Sequence, residues 1–244
     1  MDKTEFRRLF SPNSKVAVFP VIHVLDTEQT IRNVTIAMEE GCAGVFLINH
    51  DFEVEQFLPI IRATRQAFPE VWLGINFLAV TGKYAFPILA ELEAGGCRID
   101  GYWADDARID ESAAIDAQTE AAEILEIKQS CGWDGLYFGG TAFKKQRPVK
   151  AADFERSAEI AKHWMDVVTT SGSATGIETG TDKTRVFRQG VGTSAMGLAS
   201  GITPENIDDY ADLIDACLVA TGINQQDDFY NIDRSRLRKL LERV

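Results

Sequence analysis

The chain has 244 residues, 45% of them apolar, and carries 25 Lys and Arg against 37 Asp and Glu, a formal net charge of −12. That balance opposes binding to nucleic acid, because phosphate neutralisation by Lys and Arg supplies most nonspecific affinity for a polyanion, and the apolar residues form short runs, none of membrane length. The length is close to the roughly 250 residues of one (β/α)8 barrel, and no Pro/Gly/Ser-rich stretch or charge run marks a linker, so residues 1–244 are read as one domain, soluble and cytoplasmic, without membrane insertion.

Met1 to Pro12 sets charged residues around Phe6, Leu9 and Phe10 and lacks the apolar region of a signal peptide, which predicts a short helix covering one end of the fold. Lys15 to His23 is nearly continuous in apolar residues, as expected of a strand covered on both faces. The beat then repeats along the chain. Helical spacing over Thr27 to Glu40 leads through Gly41 to a strand at Gly44 to Ile48, and a helix from Val54 to Phe68 stops before Pro69 and a strand at Val71 to Phe77. Lys83 to Ala94 and Ser112 to Ser130 are predicted helices, with a strand at Ile99 to Ala104 between them and one at Gly135 to Phe138 after. Ala151 to His163, Asp182 to Gln189 and Glu205 to Ile214 are predicted helices, each followed by a strand, at Asp166 to Thr170, Ala195 to Ala199 and Ala216 to Ala220.

Eight strand and helix alternations favour a parallel sheet closed into a (β/α)8 TIM barrel of α/β class over an open doubly wound sheet. No Gly-x-Gly-x-x-Gly follows the first strand, which argues against a dinucleotide fold. Asp100-Gly101-Tyr102-Trp103 and Asp134-Gly135-Leu136-Tyr137 read as echoes of one repeat. The four cysteines, Cys42, Cys97, Cys131 and Cys217, have no CxxC spacing, lie before or at the start of strands, and are assigned to packing.

In such a barrel the active face is formed by residues just after each strand. Here they include His23, Asn49, His50, Asp51, Asn76, Asp105, Asp106, Lys144, Lys145, the run Thr169 to Gly176, Glu178, Ser200 and Thr221. His23 and Asp105 are candidate acid and base, and Lys144 a candidate to neutralise an acidic group or form a Schiff base. Asn49, Asp51, Asn76, Thr170, Ser171 and Thr175 are candidates to orient a substrate. A structural histidine, helix-capping aspartates and solvated lysines are the competing explanations. Ser200-Gly201-Ile202-Thr203-Pro204-Glu205-Asn206 has the makeup of an anion site: Gly201 for a turn, Thr203 as N-cap, Pro204 at the first helical position. With Thr221 and Gly222 after the eighth strand, Ser200, Gly201 and Thr203 form a candidate phosphate site. No His-x-His, HExxH or cysteine pair marks a metal site and no cofactor is expected, although Mg²⁺ bound partly through substrate oxygens stays open.

Several of these pieces together resemble the BtpA family of (β/α)8 barrel proteins: Val21-Ile22-His23, Asn49, Gly74-Ile75-Asn76, Phe143-Lys144 with Pro148, Thr170 to Gly176, and Val219-Ala220-Thr221 through Ile232-Asp233-Arg234. The chain departs from that family at Ile48, at Ala79-Val80-Thr81 where the family carries a polar run, at Lys145, and at Ala220 and Asn224. The resemblance implies a barrel with a phosphate-type site. Together with the rim residues it leads to an expectation of an enzyme acting on a small phosphorylated metabolite, a sugar phosphate or ribosyl compound, by isomerase, lyase or transferase chemistry. The alternative is a non-catalytic assembly factor, as the family's association with photosystem I biogenesis implies. Amphipathic outer helices are compatible with a homo-oligomer.

Overall fold

The computed structural model describes residues 1–144, 146–172 and 176–244. Eight parallel strands, Ala17–Val24 (β1), Val45–Asn49 (β2), Leu73–Asn76 (β3), Gly101–Ala104 (β4), Leu136–Gly140 (β5), Val167–Thr170 (β6), Met196–Ala199 (β7) and Ala216–Val219 (β8), follow one another round a closed barrel. Closure is made by β1, which pairs with β2 at its C-terminal half and with β8 from Ala17↔Ala216 to Pro20↔Val219. Apart from Leu136, every strand residue is buried, which is why the strands read as continuous apolar runs rather than alternating ones.

Alternation exists nonetheless, between two apolar surroundings. Phe19, Val21, Phe46, Ile48, Trp103, Phe138 and Leu218 fill the barrel interior. Val18, Ile22, Leu47, Ile75, Tyr102, Val168 and Cys217 pack against the outer helices. The helices are Thr27–Glu39 (α2), Val54–Ala67 (α3), Gly82–Ala94 (α4), Thr119–Cys131 (α5), Phe154–Ala161 (α6), Thr181–Val191 (α7) and Arg234–Leu241 (α8), after an N-terminal helix Lys3–Phe10 (α1). Helix α1 covers one end of the barrel, as expected. Its Phe6 is fully buried, and Phe10 meets Phe19 and Trp72 edge-on at centroid distances of 5.5 Å. Below the mouth the barrel is therefore an aromatic plug of Phe6, Phe19, Phe46, Trp72 and Phe138. Gly74 leaves room for it, since a Cβ there would stand 2.3 Å from the Phe46 ring.

At the same end an aspartate before each of β4, β6 and β8 ties that strand to the one before it. Asp100, Asp166 and Asp215 accept the backbone N–H of Leu73, Tyr137 and Met196 at 2.9, 2.7 and 3.0 Å. Asp100 also pairs with Arg65 and Arg98, and the fully buried Asp215 with Arg7 and Arg188. This is the repeat that the Asp-Gly-Tyr-Trp segment belongs to. Asp134, its expected echo, is exposed and takes no such place.

Three predicted helices are shorter than their sequence pattern. The helix expected over 112–130 begins only at Thr119, because Asp110 binds the N–H and hydroxyl of Ser112 while Gln118 folds back onto the N–H and carbonyl of Asp110. These side chains offer the backbone a turn in competition with the helix. The helix expected over 205–214 is reduced to a 3-10 turn, Ile207–Asp209. Asn206 holds the turn from both sides, accepting from Thr203 N–H (2.8 Å) and donating to the Gly201 carbonyl (2.8 Å). The segment expected as a helix from Ala151 opens with a 3-10 turn, Ala151–Asp153, before α6.

Cys42, Cys97 and Cys217 are buried, and desolvation pushes their thiols up, Cys217 to about 12. They stay protonated and inert at neutral pH. No described helix is long and apolar enough to cross a membrane.

Candidate functional site

The C-terminal ends of the strands converge on a pocket whose floor is Val21, Ile48, Trp103 and Leu218 and whose wall carries His23, His50, Asp105, Lys144, Ser200 and Thr221. All three residues assigned to catalysis from the sequence thus reach one cavity. Register explains it. His23 and Asp105 continue the inward-facing series of β1 and β4, in line with Val21 and Trp103.

His23 is nearly fully buried and held by the chain's C-terminal segment. Its ring stacks on Phe229 at 3.8 Å between centroids and 18° between planes, and His50 stands edge-on to it at 4.8 Å. Nδ1 lies 2.9 Å from the Phe229 carbonyl. A carbonyl oxygen only accepts, so Nδ1 is the donor, and in the neutral tautomer this selects, the ring's lone pair is on Nε2. The segment that does this is anchored by buried amides of α2: Gln29 donates to the His23 and Tyr230 carbonyls, and Asn33 donates to Tyr230 O and accepts from Ile232 N–H.

Asp105, also buried, accepts from Asn76 Nδ2 at 3.3 Å, while its carbonyl accepts from Gln146 at 2.7 Å. Asn76 therefore orients the carboxylate from beneath rather than lining the pocket. Backbone contact with β5 fixes Asp105 from the other side. A Cβ on Gly140 would lie 2.2 Å from the Asp105 carbonyl oxygen. Gly140→Ala is expected to lower stability by about 1–3 kcal/mol, the range for overpacking, and to displace the carboxylate; a melting temperature equal to that of the parent would show that the two backbones can part freely.

Ser200 closes the far side of the mouth. Its φ is 104°, a left-handed value that a serine adopts at a cost, and its buried Oγ has no partner among the described residues. Gly201 (φ 76°) and Gly222 serve close approach: their Cβ atoms would stand 2.4 Å from Glu178 Cα and 1.9 Å from the Ile202 carbonyl oxygen. The loops after β6, β7 and β8 are thereby packed onto one another. Thr221 lines the pocket, and its Oγ1 lies 3.2 Å from the Cβ position of Gly176.

Other candidates are engaged in holding the scaffold. Asn49 donates to Phe52 O and accepts from Leu78 N–H, tying β2 to β3. Asp51 is exposed and accepts from the Tyr230 hydroxyl at 2.8 Å. Thr170 lies on the outer face of β6 with Val168, its hydroxyl 3.4 Å from Ala142 O. Ser171 Oγ accepts from Lys144 N–H and donates to the Gly172 carbonyl. Thr203 caps a turn, its Oγ1 accepting from Glu205 N–H at 3.1 Å while its own N–H goes to Asn206. With only a 3-10 turn behind it, the loop lacks the helix dipole on which the expected anion site leaned, and only its backbone amides and the Ser200 hydroxyl are left for that task. Thr175 and Lys145 lie outside the described residues.

The pattern of residues did not single out three participants. Trp103 reaches the pocket with its buried Nε1 unpartnered among the described residues. Its inward register after Gly101 was the available signal. Phe229 sits in a polar loop far from His23 in sequence, and Lys183 lies in the helix predicted over 182–189, to which no site residue was assigned. Among the described residues, no group of three or more His, Cys, Asp or Glu side chains is arranged to hold a metal ion.

Solved structures of the same fold include the tryptophan synthase α-subunit from Pyrococcus furiosus (12% identity, 93% of this chain and 98% of that one, TM-score 0.64). Others are phosphoribosyl anthranilate isomerase from Thermus thermophilus (14%, 93% and 98%, TM-score 0.61) and native KDPGal (11%, 95% and 95%, TM-score 0.62). At these identities the likeness is one of fold. None of the curated proteins matches the sequence. The BtpA family profile matches residues 57–244, from within α3 to the last residue, and the chain belongs to the BtpA family.

Proposed function

We propose that this protein is an enzyme acting on a small phosphorylated metabolite, a sugar phosphate or ribosyl compound, by acid/base chemistry at the barrel mouth. The observation that carries the reading is Ser200, a non-glycine residue held at φ 104° with a buried hydroxyl that no described residue satisfies, opening on the pocket that His23 and Asp105 also line. Strain and an orphaned donor in one residue belong to a binding site more readily than to a scaffold. A phosphate there would accept from the Ser200 hydroxyl and from loop amides at 201 and 222. His23 takes a proton from the substrate at Nε2, and Asp105, held by Asn76, gives one back from its protonated form, so that one turnover leaves an imidazolium and a carboxylate that exchange the proton with solvent before the next. Trp103 Nε1 supplies a further donor from the floor. Phosphoribosyl anthranilate isomerase, whose name carries a phosphorylated sugar, has the same fold and lends the reading weight.

The test is a thermal-shift titration of the parent and of Ser200→Gly with inorganic phosphate and a panel of sugar and nucleoside phosphates. Glycine adopts the same φ without strain, whereas a change at Gly201 would strike the Glu178 backbone. A ligand bound only by the native state raises the melting temperature with its concentration. The parent is expected to shift, and Ser200→Gly to need roughly tenfold more ligand, the worth of one hydrogen bond to a charged group. No shift with any phosphate would sink the enzyme reading and favour the assembly-factor alternative.

A further inference from the structure

Beside the mouth pocket lies a second cavity, between the loops that follow β5 and β6, and Lys144 lines both. Among the described residues the charges around it are unbalanced, with Lys144, Arg147 and Lys183 against Glu178. Arg147 pairs with Glu111, and Glu178 accepts from the Tyr210 hydroxyl. Lys183, from the first turn of α7, is placed differently. Its Nζ donates to the carbonyls of Ala142 and Ser171, both at 2.7 Å, and lies 4.9 Å and 5.5 Å from the ring centroids of Phe154 and Phe187. Among the described residues no carboxylate pairs with it, and desolvation pulls it down to about 8. That is a partly desolvated cation with no counter-charge among the described residues.

Two carbonyls take two of the three ammonium protons. A neutral donor would tie the same carbonyls without the penalty of burying a charge. The Thr179 hydroxyl, on the wall of the same cavity, is buried and has no partner among the described residues. A half-buried ammonium and an orphaned hydroxyl together fit an anionic group that supplies the missing acceptors.

We infer that this cavity is a second anion subsite, which takes a carboxylate or phosphate at the far end of the substrate whose first phosphate sits at Ser200. The substrate class is thereby narrowed to two-ended acids, phosphorylated at one end and acidic at the other. The third Lys183 proton and the Thr179 hydroxyl hold the second group, and Lys144 stands between the two. The inference rests on the proposed function for the position of the first group only.

Inorganic phosphate is the probe, soaked into crystals of the parent and of Lys183→Met, whose side chain keeps the packing on Phe154 and Phe187. The parent is expected to hold one phosphate against Ser200 and a second within hydrogen-bond distance of Lys183 Nζ, and the variant only the first. In solution the second site should weaken roughly tenfold in Lys183→Met, and Lys183→Arg, which keeps the charge, should retain it. Phosphate at Ser200 but not at Lys183, or equal occupancy of the second cavity in Lys183→Met, overturns the subsite and leaves the proposed function standing. Phosphate at Lys183 alone upholds the subsite and removes Ser200 from the reading, and phosphate at neither place overturns both. For the two-ended class, glycerol 3-phosphate is compared with 3-phosphoglycerate. The second should stabilise the parent more and lose that excess in Lys183→Met; equal shifts in the parent would overturn the link between the two subsites.

Discussion

His23→Asn should lower turnover by roughly 10²–10⁴-fold, the contribution of a positioned general base, while leaving the barrel folded. Asparagine is the informative replacement because its Nδ2 occupies the place of Nδ1 and still donates to the Phe229 carbonyl, while the Nε2 atom is lost. The lost stacking on Phe229 should cost about 0.5–1.5 kcal/mol, or a few degrees in melting temperature at roughly 2–4 °C per kcal/mol for a chain of this size. Turnover is measured with the phosphorylated compound that gives the largest thermal shift, and the melting curve is recorded on the same preparation. A variant that turns over as fast as the parent would remove His23 from the chemistry and leave it a strut for the C-terminal segment. Loss of both turnover and fold would assign it to stability instead.

Asp215→Ala carries the largest expected effect on stability. The carboxylate is fully buried and takes Arg7 Nε (2.9 Å), Arg188 Nη2 (2.6 Å) and the Met196 N–H (3.0 Å), so it joins α1, α7 and the starts of β7 and β8. Removing one partner of a buried ion pair costs about 3–5 kcal/mol, chiefly because the remaining charges are stranded. Arg7 is 38% exposed and can turn to water, which puts the expectation at the lower end, near 3 kcal/mol. That corresponds to a fall of roughly 6–12 °C. Asp215→Asn, which keeps an acceptor for Met196, should lose less. Urea and thermal melts on all three proteins decide it, and a melting temperature for Asp215→Ala within about 2 °C of the parent would mean that the aromatic plug alone holds this end closed. Because the pair lies at the end of the barrel opposite the mouth, the phosphate-induced shift should persist in the variant.

The barrel was legible because eight buried strands leave a signal that needs no tertiary information. Each is apolar on both faces, each is bounded by a turn residue, and the helices between them have apolar spacing. Where the pattern misled, a polar side chain had outcompeted the helix for the backbone. Asp110 and Gln118 did so before α5, and Asn206 did so after β7. An asparagine three residues beyond Thr203 reads as an ordinary first-turn residue, and only the packed loops show it binding Gly201 and Thr203 at once.

The candidate site divides along the same physical line. Position just after a strand identifies the mouth, and for His23 and Asp105 the inward register could be counted from the apolar residues two places before them. Counting also puts Asn49 and Thr170 on the outer face, because a strand turns successive side chains to opposite sides. What a loop residue touches is not periodic. Phe229 meets His23 across 206 positions of sequence, and that contact sets which imidazole nitrogen is basic. Lys183 reads as one more charge at the start of a surface helix, yet Phe154, Phe187 and two carbonyls close over it. The sequence by itself determined the closed parallel barrel, which follows from local hydrophobic pattern and strand direction, and the family, which follows from residue motifs spread along the chain. The tertiary structure alone decided which polar groups are bound to the scaffold and which stand unsatisfied at a cavity, because satisfaction of a buried polar group depends on partners brought together from distant parts of the chain.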